Sequence, residues 1–201
     1  MQIITPVIAG NYYHIYNKGN NSENIFFDND NYLHFLRLYS KYINPIADTF
    51  AWCLLKNHFH IILRIKEYNE IIEDNFQYST VEKPKAIEAS KQFSHFFNAY
   101  TQYINKKHNR TGRLFQSRFK RKHIDSESYL KNLIFYVHNN PVHHGFCKDI
   151  SNYRWSSYGS IISNKKTNLK RLEVINLFGN ISDFIEYHEN NYSDLIIEND
   201  F

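Results

Sequence analysis

LLKNHFHIILRI, residues 54–65, is an apolar run broken by two histidines with one phenylalanine between them. Side chains on a strand alternate between its two faces. Read as a strand, the run puts Phe59, Ile61, Leu63 and Ile65 on one face, and His58, His60, Ile62 and Arg64 on the other. The first is a core face. The second holds two imidazoles side by side with an arginine beyond them. The preceding run TFAWCLL (49–55) is equally strand-like, and Lys56-Asn57 between the two runs reads as a hairpin turn.

Working outward, NYYHIYN (11–17) alternates like a third strand, followed by the polar loop KGNNSENIFF with Gly19 as its breaker. Tyr32, Phe35, Leu36, Tyr39, Tyr42 and Ile43 recur at helical spacing, with Asp28 or Asp30 as N-cap and Pro45 beyond the end. A polar segment, 66–85, has no clear period. Ile87, Phe93, Phe96, Phe97, Tyr100 and Ile104 then form the stripe of a second helix, over 87–104. RLFQSRFKRKHI (113–124) reads as a basic strand, and SESYLKNLIFYVHNNP (126–141) as a helix opened by Ser126 and stopped by Pro141.

The order β-α-β-β-α-β-α predicts an α+β fold: a ferredoxin-like (RRM-like) antiparallel sheet backed by two helices. The last helix is expected on the sheet's other face, where the histidines point. We divide the chain into a domain over 1–163 and a C-terminal tail over 164–201. From Leu172 onward there is no Lys or Arg, while Glu and Asp accumulate, so the tail reads as helical and acidic.

The 201 residues are 42% hydrophobic, enough for one well-packed domain with an appendage. No apolar stretch approaches the ~18 residues of a membrane span, and the N-terminus lacks a signal-peptide layout. Cys53 and Cys147 have no metal-type spacing and read as reduced thiols of a cytoplasmic protein. Net charge is only +4, so its distribution carries the information.

Two imidazoles at i and i+2 on one strand face can converge on a metal ion, although two surface histidines would look the same. On the 126–141 helix, Tyr129, Leu133, Tyr136 and Asn140 fall on one stripe. Facing the histidines, Tyr136 offers a nucleophilic phenol and Asn140 an oxygen ligand. Charge is the third component. From Lys106 to His123 there are eight Lys and Arg residues, no acidic one, and interleaved Phe115, Gln116 and Phe119. Basic side chains mixed with stackable rings suit a single-stranded or distorted nucleic acid. Arg113, Gln116, Arg118, Lys120 and Lys122 are the candidate DNA contacts, the last three alternating along the strand.

NKGNNSENIFFDNDNY (17–32), LLKNHFHIIL (54–63), RTGRLFQSRFK (110–120), YLKNLIFYVHNNPVHHGF (129–146) and YRWSSY (153–158) together resemble the REP-associated tyrosine transposases. These belong to the single-tyrosine HUH superfamily. The resemblance spans roughly residues 10–160. It implies a metal-dependent single-stranded DNA endonuclease and strand transferase that cleaves through a 5′-phosphotyrosine. Tyr136 would be the nucleophile, His58, His60 and Asn140 the ligands of Mg²⁺ or Mn²⁺, and hairpin-flanked single strands the substrate. Two positions depart from the family pattern: Lys56 stands where proline is usual, and HHGF (143–146) where RAGL is usual.

The residues alone leave open a non-catalytic single-strand-binding module, a nuclease that activates water, and a host protein that processes hairpins without moving. A homodimer held through the acidic tail is also left open.

Overall fold

The computed structural model describes residues 7–71 and 88–190. Its elements are β1 (Tyr12–Lys18), α1 (Asn29–Tyr42), β2 (Ala47–Leu55), β3 (His58–Ile65), α2 (Ala89–Lys107), β4 (Lys120–Ile124) and α3 (Glu127–His143). Three more helices follow: α4 (Tyr158–Ile162), α5 (Arg171–Phe178) and α6 (Ile181–Asn190). The strands form one antiparallel sheet in the order β2-β3-β1-β4. That is the split βαβ topology read from the sequence. Ile87, the 72–85 part of the polar segment and the tail beyond Asn190 lie outside the described residues.

Alternation builds two cores. Phe59, Ile61, Leu63 and Ile65 of β3 join Tyr13 and Ile15 of β1 against α1 and α2, a layer rich in rings. Phe35 of α1 is fully buried, with the rings of Phe26, Phe59, Phe96 and Tyr100 about it. Removing such a ring costs about 3–5 kcal/mol. The opposite face carries the second core, where Ile62, Phe50, Ala51 and Cys53 meet Leu130, Leu133, Ile134 and Val137 of α3. Phe50 and Ala51 both reach this side because the β2–β3 register shifts between Thr49 and Ala51, a bulge opposite Ile62 and Leu63.

The first helix starts as read. Asp28 accepts from the Asn31 amide at 3.0 Å, and Asn31 Oδ1 accepts from the Phe27 amide at 2.9 Å, a reciprocal cap.

Two boundaries differ from the sequence reading. The basic strand is only Lys120–Ile124, not 113–124. Leu114 and Phe115 are consecutive yet both buried in the first core, which breaks strand alternation. The segment instead touches β1's end through a Gly19–Phe115 bridge and a Gln116 amide bond to the Lys18 carbonyl at 2.9 Å.

Pro141 does not stop α3 either. Proline fixes a helix-compatible φ and deletes one N–H. So near the helix end it forfeits a single ladder bond. The stop is Gly145, with φ +71. The Phe146 amide donates to the Pro141 carbonyl at 2.8 Å and the Gly145 amide to Val142 at 3.0 Å, a Schellman ending.

YRWSSY covers the β2 edge. The Leu54 amide donates to the Trp155 carbonyl at 2.9 Å, and the Trp52 amide to Ser157 Oγ at 2.9 Å. The described part of the acidic segment is packed rather than solvated on all sides. Val174, Phe178 and Phe184 of α5 and α6 belong to the second core, and His188 is fully buried beside His138 of α3.

Candidate active site

Register decides which side chains meet. Tyr16 of β1 pairs with His60 on one side and Lys120 on the other, while His14 pairs with Ile62 and Lys122. His14, Tyr16, His58, His60, Lys120 and Lys122 therefore share the sheet face that α3 crosses. The His14 ring packs against Tyr16 and lies beside His60, at centroid distances of 4.7 and 5.1 Å. Above them the Tyr136 ring stands edge-on to His60 at 5.6 Å and to His14 at 6.4 Å.

The α3 stripe supplies the rest. Leu133 and Asn140 are buried, and Tyr136 between them is half-buried over the histidines. Asn140 Nδ2 donates back to the Tyr136 carbonyl at 3.4 Å, which turns Oδ1 toward His58. There it lies 3.5 Å from His58 Nε2.

Protons settle what this contact is. His58 Nδ1 is 2.7 Å from Asn57 Oδ1. An amide oxygen only accepts, so Nδ1 carries the hydrogen and Nε2 presents its lone pair to Asn140. Burial, then the nearby His144, pushes the His58 pKa down to about 4, so the ring is neutral at pH 7. Two acceptors thus face each other with no proton between them. A cation placed between them could take both lone pairs. Neighbouring ligands of one small divalent ion lie ~3 Å apart, close to the gap seen here.

His60 stands beside His58, its ring centroid 5.3 Å away. It is fully buried and held well below the usual histidine pKa by burial, with His14, His58 and His144 adding to the effect. Its Nδ1 is 2.9 Å from His14 Nε2. Two imidazoles with one amide oxygen are a mixed N/O set of the kind that takes a divalent ion. Among the described residues, no group of three His, Cys, Asp or Glu side chains is placed to hold a metal. A metal held by His58 and His60 would need a further ligand of another kind, and the amide oxygen of Asn140 is the one within reach of His58.

The candidate DNA contacts divide. Lys120 and Lys122 flank the site, their Nζ atoms 5.8 Å from the Tyr16 ring centroid and 5.2 Å from that of Tyr129. Arg113, Gln116 and Arg118 are exposed on the irregular segment before β4, outside the strand on which they were expected. His14 and Tyr16 escaped the sequence reading, although NYYHIYN alternation already places both on one face. His144, in the departing HHGF segment, brings its ring within 4.8 Å of His58.

No family model matches the chain, and no curated protein matches it. Among solved structures it is similar to a REP-associated tyrosine transposase bound to a REP hairpin, with a TM-score of 0.63 and 16% identity. The match covers 82% of this chain and 86% of that one. The likeness is one of fold: a mixed α/β architecture shared with a transposase. Among the described residues, no helix is long and apolar enough to cross a membrane.

Proposed function

We propose that the chain is a single-tyrosine HUH endonuclease and strand transferase acting on single-stranded, hairpin-bearing DNA. One observation carries the reading. Asn140 Oδ1 and His58 Nε2 converge as two acceptors, one turn along α3 from a tyrosine that stands over His60.

In this reading His58, His60 and Asn140 hold Mg²⁺ or Mn²⁺, which supplies Lewis-acid polarisation of the scissile phosphate. Tyr136 Oη attacks phosphorus and loses its proton. The bond from phosphorus to the 3′ oxygen breaks, and that oxygen takes up a proton from water. The products are a 5′-phosphotyrosine and a 3′-hydroxyl. Because the new linkage is still a phosphodiester, the 3′-hydroxyl of another strand can reverse the step and join strands. Lys120 and Lys122 line the approach, with Arg113, Gln116 and Arg118 further along the strand's path. They contribute salt-dependent affinity rather than base choice. Residues 1–163 carry the chemistry, and α5 and α6 brace α3 from behind.

The test is incubation with hairpin DNA and Mn²⁺, wild type beside Tyr136→Phe, resolved on a denaturing protein gel. A metal-dependent protein–DNA adduct that vanishes in Tyr136→Phe is the expected result. An adduct that survives in Tyr136→Phe places the nucleophile elsewhere. Tight, metal-independent DNA binding with no adduct on any hairpin tried returns the protein to the class of binding modules.

A further inference from the structure

His14 has no part in the chemistry described so far, yet it occupies the centre of the site. It is fully buried, its ring within 24° of the plane of His60 and side by side with it, Nε2 lying 2.9 Å from His60 Nδ1. Its other nitrogen, Nδ1, is buried without a hydrogen-bond partner. A buried polar atom left unsatisfied is destabilising. A phenylalanine would fill the same layer of rings without that penalty. What histidine adds is the bond on its other side.

That bond admits two arrangements of its single hydrogen. If His14 Nε2 donates, His60 Nδ1 accepts and the hydrogen of His60 sits on Nε2, where it blocks ligation. If His60 Nδ1 donates, His60 Nε2 presents a lone pair. Metal-bound imidazoles are held in this way, with the second nitrogen donating to a fixed acceptor. His58 follows the same logic through Asn57. We propose that His14 is a positioning residue that accepts the Nδ1 hydrogen of His60 and fixes the tautomer whose Nε2 binds the metal. This rests on the metal site proposed above. The acceptor is an imidazole, itself neutral, so the arrangement adds no charge beneath the ion.

The experiment uses the full chain with ¹⁵N-labelled histidine. Long-range proton–nitrogen spectra of the metal-free protein report which His60 nitrogen carries hydrogen, and calorimetry reports Mn²⁺ affinity. Wild type is expected to show the hydrogen on His60 Nδ1. His14→Gln, whose amide oxygen can replace Nε2 as acceptor, is expected to keep that pattern and to bind Mn²⁺ nearly as wild type does. His14→Phe is expected to stay folded, move the His60 hydrogen to Nε2, and weaken Mn²⁺ binding about 10- to 100-fold. Wild-type His60 with its hydrogen on Nε2, or a His14→Phe variant that binds Mn²⁺ as wild type does, overturns the role of His14. Wild type that binds Mn²⁺ no better than His60→Ala overturns the metal site itself.

Discussion

Asn140 Oδ1 and His58 Nε2 lie 3.5 Å apart although 82 residues separate them in sequence. The contact joins the two elements that the proposed chemistry needs, a central strand and the helix that crosses it. Replacing Asn140 by Ala leaves two imidazoles, and Mn²⁺ affinity measured by calorimetry should fall at least tenfold. Replacing it by Asp keeps an oxygen at the same reach and adds a charge, so Asn140→Asp should bind Mn²⁺ at least as well as wild type. Equal affinity in all three proteins would take Asn140 out of the ligand set.

The ligands proposed are all neutral, so they do not themselves compensate a dication. A bound phosphate would. The Tyr136→Phe protein, which leaves the hairpin uncut, should therefore bind Mn²⁺ more tightly with hairpin DNA present than without it, and the DNA more tightly with Mn²⁺ by the same factor. Titrations run in both directions check the reciprocity. Independent binding of metal and DNA would place the phosphate away from His58 and His60.

Lys120 and Lys122 point from β4 along the face that holds the histidines, whereas Arg121 between them lies over the Phe119 ring on the other side. Lys120→Ala and Lys122→Ala should each weaken binding across all hairpin sequences and lower the salt slope by about one. Arg121→Ala should leave the slope nearly unchanged. Fluorescence anisotropy over a range of salt separates the two faces of one short strand.

Gly19 is required for space rather than for its φ. A Cβ there would stand 1.9 Å from the backbone oxygen of Glu23. The Gly19 amide also donates to the Asn57 carbonyl at 2.7 Å, on the turn that leads into His58. Gly19→Ala should cost about 1–3 kcal/mol in urea unfolding and disturb Mn²⁺ binding as well. A variant as stable as wild type would show that the 19–23 loop yields freely.

How much of this was legible follows from period. The strand HFHIILRI fixes both of its faces from alternation alone, and the α3 stripe of Tyr136 and Asn140 follows from 3.6-residue spacing. Both survive in the fold because each residue sits where its period puts it. The reading failed where a tertiary contact overrides period. Leu114 and Phe115 are both drawn into the first core, so 113–119 cannot be a strand. Pro141 reads as a stop, yet the Gly145 ending about one turn later is the real signal, hidden in HHGF. His14 shows a different limit. Its face is readable, but its bond to His60 depends on which strands are neighbours, and that is a property of the whole sheet.

A buried hydrogen-bonded chain ties α6 to α3. His188 Nδ1 donates to the Phe184 carbonyl at 2.7 Å, so its Nε2 accepts from His138 Nδ1 at 3.0 Å. His138 Nε2 then accepts from Ser157 Oγ at 2.8 Å, and Ser157 Oγ accepts from the Trp52 amide at 2.9 Å. Every hydrogen runs one way, and a second proton on His188 would set two hydrogens against each other. Burial holds the His188 pKa down at about 4, the Phe184 carbonyl opposing only in part. In the unfolded chain it returns to about 6.5. Between those values the unfolded state binds more protons, so stability rises with pH. It should be fully present above about pH 6.5 and fall as the pH drops toward 4, with His188 contributing about 3 kcal/mol of the loss. His188→Leu should lower stability at neutral pH, because His138 loses its acceptor, and should flatten the fall between pH 6.5 and 4. Urea unfolding at neutral and acidic pH, with NMR titration of His188, makes the check. An ordinary histidine pKa for His188 in the folded protein would remove this chain as the source of acid sensitivity.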